Sequence, residues 1–100
     1  MTTTSGSGAY RIDDVHKAVI TPAGEVKRTS PRAFELLSFL HSHRGQIISA
    51  KNLLKYVWGN EHYDRENVAT QVHTLRRDIG PDVVDTIKRH GYGVGIDDRT

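Results

Sequence analysis

The sequence of 100 residues predicts an α+β fold: a small N-terminal antiparallel sheet, a three-helix core and a C-terminal β-hairpin. Three observations carry that prediction. Short segments with β-branched residues alternate with turn residues between Tyr10 and Arg28. Apolar residues then recur at three- and four-residue spacing in successive stretches from Pro31 to Ile79. Last, residues 83–88 and 92–96 flank Arg89, His90 and Gly91, the pattern of a hairpin with glycine at its turn. A chain of this size supports one modest core, and no internal repeat is visible.

Residues 1–8 contain only Met, Thr, Ser and Gly, which bury too little apolar surface to offset the entropy of ordering. A flexible tail is therefore expected ahead of one domain over residues 9–97, with a short tail over 98–100. Residues 10–12, 15–20 and 25–28 read as two or three strands, broken by Asp13-Asp14 and by Pro22-Ala23-Gly24. Ser30 and Pro31 then open a helix: the serine oxygen caps free amides, and proline takes the first helical position, where no amide partner is needed. Ala33 stands where Glu or Gln would complete a capping box. Phe34, Leu37 and Leu40 share a face that Leu36 and Phe39 widen, making this the main core helix, and Gly45 suits its terminating position.

Residues 46–48 read as a short extended linker. Ser49 caps a second, shorter helix that carries Leu53, Leu54, Val57 and Trp58 and stops at Gly59, with Trp58 expected in the core. Residues 60–65 turn into a third helix, which ends before Gly80-Pro81, a pair that cannot continue it.

The third helix and the hairpin carry the functional reading. Val68, Val72, Leu75 and Ile79 form one inward stripe, so Thr70, His73, Thr74 and Arg77 project on the other side. Hydroxyls, imidazole and guanidinium supply hydrogen bonds to base edges in the DNA major groove, which admits such a helix. Arg76 and Arg77 are candidates for phosphates, and Lys88, Arg89 and His90 for the flanking backbone or minor groove. A structural alternative stands beside each: a solvated helix face, an arginine paired with Asp78 or another acid, and a hairpin tip that is polar for solubility. Net charge does not choose between them. Fourteen Lys and Arg against twelve Asp and Glu give +2, and residues 65–79 carry three arginines against Glu66 and Asp78, a mild patch.

Several function classes find no support. The absence of cysteine excludes disulfides and thiolate metal sites. His41 and His43 are two apart and no His-Glu-x-x-His occurs, so no metal site is expected. Without a phosphate-binding glycine loop, a nucleophile elbow or an acid/base constellation, neither catalysis nor a cofactor is expected. Asp13-Asp14 and Asp97-Asp98 read as turn and tail charges. No apolar run approaches the roughly 20 residues that span a bilayer, and the N-terminus lacks the regions of a signal peptide. The expectation is a soluble cytoplasmic protein with no membrane partner.

Five pieces, in order along the chain, resemble the C-terminal effector domain of OmpR/PhoB-type response regulators, a winged helix-turn-helix. They are Ser30-Pro-Arg-Ala-Phe-Glu-Leu-Leu37, Arg44-Gly-Gln-Ile-Ile-Ser-Ala-Lys-Asn-Leu-Leu54, Val57-Trp-Gly59, Val72-His-Thr-Leu-Arg-Arg77 and Thr86-Ile-Lys-Arg-His-Gly-Tyr92. The resemblance implies a third helix in the major groove and a wing at an adjacent minor groove. The family's reading helix falls on residues 66–77, which include Asn67, and its base- or phosphate-facing positions on Glu66, Gln71, His73, Thr74 and Arg76. It also implies that the turn before this helix can face RNA polymerase, with His62 and Tyr63 as the candidate partner surface.

The chain departs from the family pattern in places. His73 and Thr74 stand where relatives often have arginine. Arg89 occupies a position usually held by glycine, and Gly93 one where arginine commonly follows the tyrosine, which relocates positive charge to the wing tip. Members usually carry a phospho-acceptor receiver domain, for which these 100 residues have no room. A stand-alone regulator, an excised effector domain or a module controlled by another protein is therefore expected.

The expected function is sequence-specific binding of double-stranded DNA in transcription regulation, with RNA polymerase as a second candidate partner. One small module makes few contacts, so specificity calls for a homodimer or tandem binding on repeated half-sites. The competing reading is a winged-helix protein-interaction module that binds a regulator or polymerase subunit instead of DNA, favoured by the thin charge of the third helix.

Overall fold

The computed structural model describes residues 9–96, so the expectations for tails over 1–8 and 98–100 fall outside the described residues. Strands β1 (Arg11–Asp13), β2 (Ala18–Ile20) and β3 (Val26–Lys27) form an antiparallel sheet in that order. Ile12 stands opposite Val19, and Ile20 opposite Val26. The second strand is shorter than the expected 15–20. Asp13 Oδ1 accepts hydrogen bonds from the Val15 and His16 amides, each at 3.1 Å, and this draws both residues into a turn. Val15 is consequently 85% exposed. His16 Nδ1 lies 2.8 Å from the other carboxylate oxygen, a contact that holds the Asp13 carboxyl below its usual range.

Helix α1 (Pro31–Ser42) begins as expected, with Ser30 Oγ accepting from the Ala33 amide at 3.3 Å. Leu36, Leu37 and Leu40 are fully buried. Ser49 Oγ likewise accepts from the Asn52 amide at 3.2 Å and caps α2 (Ala50–Leu53). The expected single helix then widens into a π-helical turn, Leu54–Trp58, which ends at Gly59 with φ +79°. Trp58 is half-buried at the edge of the core, not inside it. The Arg32 guanidinium sits 5.4 Å from its ring centroid and donates to the Val57 carbonyl at 2.8 Å, so one face of the indole serves a cation.

Helix α3 (Glu66–Asp78) starts where Asp64 Oδ1 accepts from the Glu66 amide at 3.0 Å. Its buried Val68, Val72 and Leu75 belong to the same core cluster as the α1 leucines and Val83, Val84 and Val94. Strands β4 (Asp85–Ile87) and β5 (Gly91–Gly93) pair antiparallel. This hairpin is shorter than expected because Val83, Val84 and Val94 lie beyond the ladder, buried in the core. The order of sheet, three helices and hairpin is that of a winged helix-turn-helix.

Glycine does not make the wing turn, contrary to expectation. The His90 amide donates to the Ile87 carbonyl at 2.9 Å, and the left-handed residue of that turn is Arg89, with φ +70°. Gly91 instead opens β5 with φ +145°, where a Cβ would collide with the Ile48 carbonyl. That close approach has a purpose: Ile48 and Tyr92 exchange both backbone hydrogen bonds, at 2.8 and 2.9 Å. The expected linker over 46–48 thus forms the outer rung of the wing, reinforced by Gly45 N donating to Val94 O at 2.9 Å.

Two buried polar groups mark the far side of the core. Tyr10 donates its hydroxyl to Asp82 Oδ1 at 2.6 Å, which ties the start of the sheet to the segment after α3. Burial first, and then the Asp82 carboxylate, push the phenol pKa up to about 12. His41 Nε2 is buried without a hydrogen-bond partner among the described residues, and burial, followed by the charge of Arg44, holds this imidazole below its ordinary 6.5. Its neutral form is favoured in the fold, so the contribution is complete above the unfolded pKa of about 6.5 and is lost as pH falls below it. The urea midpoint is expected to drop between about pH 7.5 and pH 5.5, and His41→Leu to flatten that drop. An unchanged pH slope in the variant would contradict this account.

Candidate nucleic-acid interface

With Val68, Val72 and Leu75 turned inward, helical geometry sets Glu66, Thr70, His73 and Arg77 along the opposite line of α3. All four are exposed. Asn67 and Thr74 form the shoulder of this line, so five of the seven expected helix residues, Asn67, Thr70, His73, Thr74 and Arg77, share one face. Local bonds fix several members. Thr74 Oγ1 donates to the Thr70 carbonyl at 3.1 Å, and Asn67 Nδ2 to the Asp64 carbonyl at 2.9 Å. These leave the threonine hydroxyl oxygen and the asparagine carbonyl as outward acceptors.

The remaining helix positions diverge to the two flanks. Gln71 is half-buried on the α1 side, where its Oε1 accepts from Ser30 Oγ at 3.4 Å. Asp78 shares that flank. It accepts from Thr29 Oγ1 at 3.0 Å and from Arg77 Nε at 3.1 Å, and the arginine bond first, then the threonine, holds its carboxyl below the usual range. Arg76 leaves the opposite flank toward the wing and is half-buried there. Pairing with Asp78 thus falls to Arg77, through Nε alone, while both terminal nitrogens of that exposed side chain lie outside the bond.

Lys88, Arg89 and His90 are all exposed at the wing tip. The third position of this turn has the positive φ that a type II turn assigns to glycine, which gives a physical reason for the family's preference there. An arginine in left-handed backbone is disfavoured by roughly 1–2 kcal/mol. Gly93, the other departure, is buried, and a Cβ there would stand 2.7 Å from the Gln46 carbonyl. The base of this wing therefore leaves no space for a side chain, and its cations gather at the tip.

A groove of about 460 Å³ separates the wing from the start of α3. Arg89 and His90 line it on one side, and Lys51, Arg65 and Glu66 on the other. The sequence reading missed Lys51 and Arg65. A signal was present for Arg65, which stands at the N-cap of α3, where a cation opposes the macrodipole. His62 and Tyr63 lie in the turn before α3, exposed as expected, with Tyr63 at 51%.

The chain has relatives both in sequence and among solved structures. It is 33% identical over 84 residues to the transcriptional regulatory protein QseB of Escherichia coli O157:H7, covering 82% of this chain but 38% of that protein. The chain therefore spans well under half the length of that relative. Among solved structures, the DNA-binding domain of Bacillus subtilis CssR superposes with a TM-score of 0.71 at 29% identity, covering 85% of this chain and 98% of that one. The DNA-binding domain of Klebsiella pneumoniae RstA, solved in complex with the RstA box, superposes with a TM-score of 0.70 at 27% identity, covering 94% and 96%. Residues 24–94 match the family described as "Transcriptional regulatory protein, C terminal", and the chain belongs to that family, the OmpR/PhoB-type effector domains.

Proposed function

We propose that this chain is a sequence-specific DNA-binding transcriptional regulator that places α3 in the major groove and the wing on the adjacent backbone or minor groove. The observation that carries the reading is a single continuous surface: the outward line of α3 runs into a groove lined by Lys51, Arg65 and Arg89. On it, Thr70, His73, Thr74 and Asn67 are the base-reading candidates, and Arg77, Lys88, Arg89 and His90 hold phosphate or sugar. The family is non-enzymatic in kind. The complex of RstA with its box supports DNA as the ligand of this chain. In this reading His62 and Tyr63 face RNA polymerase, and two copies bind side by side on repeated half-sites. No helix among the described residues is long and apolar enough to cross a membrane, and the cytoplasm is the proposed place of action.

The test is a titration with mixed-sequence duplex DNA over several salt concentrations, comparing the intact chain with a Thr74→Ala, Arg77→Ala and Arg89→Ala variant. Two cations are removed, so the slope of log affinity against log salt is expected to flatten by roughly 1.8, with affinity weakened at every salt concentration. Salt-insensitive binding, or none at low ionic strength, overturns the reading.

A further inference from the structure

We infer that Arg76 is a positioning residue, which fixes the wing against the reading helix instead of contacting phosphate; this rests on the DNA-binding reading above. Its Nη2 donates to the Val84 carbonyl at 2.9 Å and to Thr86 Oγ1 at 2.7 Å. The two acceptors bracket the first residue of β4, so one planar guanidinium grips the strand at its start. The second wing strand is held differently. There β5 is tied by backbone pairing to Ile48, and Val94 just beyond it to Gly45.

Beside the core packing of Val83, Val84 and Val94, each wing strand thus has a polar anchor, and the one on β4 reaches α3 through the Arg76 side chain. Loss of this anchor loosens β4 beyond the buried Val84, and with it the hairpin that carries Lys88 and Arg89 at the tip. The contrast with Arg77 supports the division of roles. Arg77 is exposed and, among the described residues, bonded to its neighbour Asp78 through Nε, whereas Arg76 is half-buried with a terminal nitrogen already given to two acceptors in its own domain.

The experiment is a double-mutant cycle on the intact chain, with Arg76→Gln and Arg89→Ala singly and together, each titrated with mixed-sequence duplex DNA across salt concentrations. Arg76→Gln is expected to weaken binding about tenfold. Arg89→Ala should then add little in that background, because the tip is already misplaced. Thr86→Val, a milder change that removes only the 2.7 Å bond, should weaken binding in the same direction. A direct phosphate contact by Arg76 predicts additive losses and no effect of Thr86→Val, and that result overturns the inference.

A DNA-free readout separates this inference from the reading on which it rests. NMR order parameters of the amides of residues 86–92 should fall in Arg76→Gln and stay unchanged in Arg77→Gln. If the intact chain fails to bind DNA while these order parameters fall, the DNA reading is wrong and the anchoring stands. Unchanged order parameters in Arg76→Gln overturn the anchoring itself. Thermal unfolding checks that the variants remain folded, and Thr86→Val carries both readouts if Arg76→Gln does not fold.

Discussion

Leu75→Ala is expected to destabilise the domain by about 2–5 kcal/mol, the range for truncating a fully buried leucine, where lost transfer energy adds to a residual cavity. Leu75 has no exposed surface and lies on the inward line of α3, in one core cluster with the α1 leucines and Val83. A domain of this size has a total stability of about 5–15 kcal/mol, so the loss consumes a large part of the margin. Urea unfolding followed by circular dichroism checks it, and a change below about 1 kcal/mol would show that neighbouring side chains collapse into the space. At temperatures where the variant stays folded, DNA affinity should be nearly retained, since no outward atom of α3 changes. The effect on binding then follows the folded fraction alone.

Gly91→Ala is expected to act the opposite way, with its main effect confined to the wing. A methyl group there collides with the Ile48 carbonyl, at a φ of +145° that L-residues rarely adopt. Relief requires opening the Ile48–Tyr92 pair, with loss of two backbone hydrogen bonds. Backbone strain and the lost bonds together amount to on the order of 3 kcal/mol. Amide hydrogen exchange should show loss of protection at Ile48 and Tyr92, with α1 and α3 much less affected. DNA binding should lose the wing's part of its salt dependence while that of α3 persists. Retained protection at both amides would contradict the assigned close approach.

The local elements were legible because local rules govern them. Ser30 and Ser49 cap their helices through a hydroxyl that reaches an amide three residues on, a contact set by chain geometry alone. The inward stripe of α3 could be read from spacing, and the outward candidates Thr70, His73 and Arg77 followed by subtraction. The failures were of two kinds. Strand limits moved where a side chain competed for backbone amides, as Asp13 does for Val15 and His16. Roles changed where two remote segments met, as when Arg89, and not a glycine, took the left-handed turn position so that Gly91 could serve Ile48.

The adjacent arginines show the boundary most clearly. Their sequence context is nearly the same, and both were candidates for phosphate. One helical step turns Arg77 toward solvent and Arg76 toward the wing, and the acceptors that engage Arg76 lie 8 and 10 residues along the chain, brought back by the turn after α3. Lys51 and Arg65 likewise meet Arg89 across a groove that no local pattern describes. The sequence by itself determined the order of elements, the caps and the face of α3 that is free to read, because periodicity and short-range hydrogen bonds are encoded in neighbouring residues. Only the tertiary structure decided which cations share one surface and which is spent holding the wing, because those outcomes depend on approaches between segments whose separation in sequence carries no information about their distance in space.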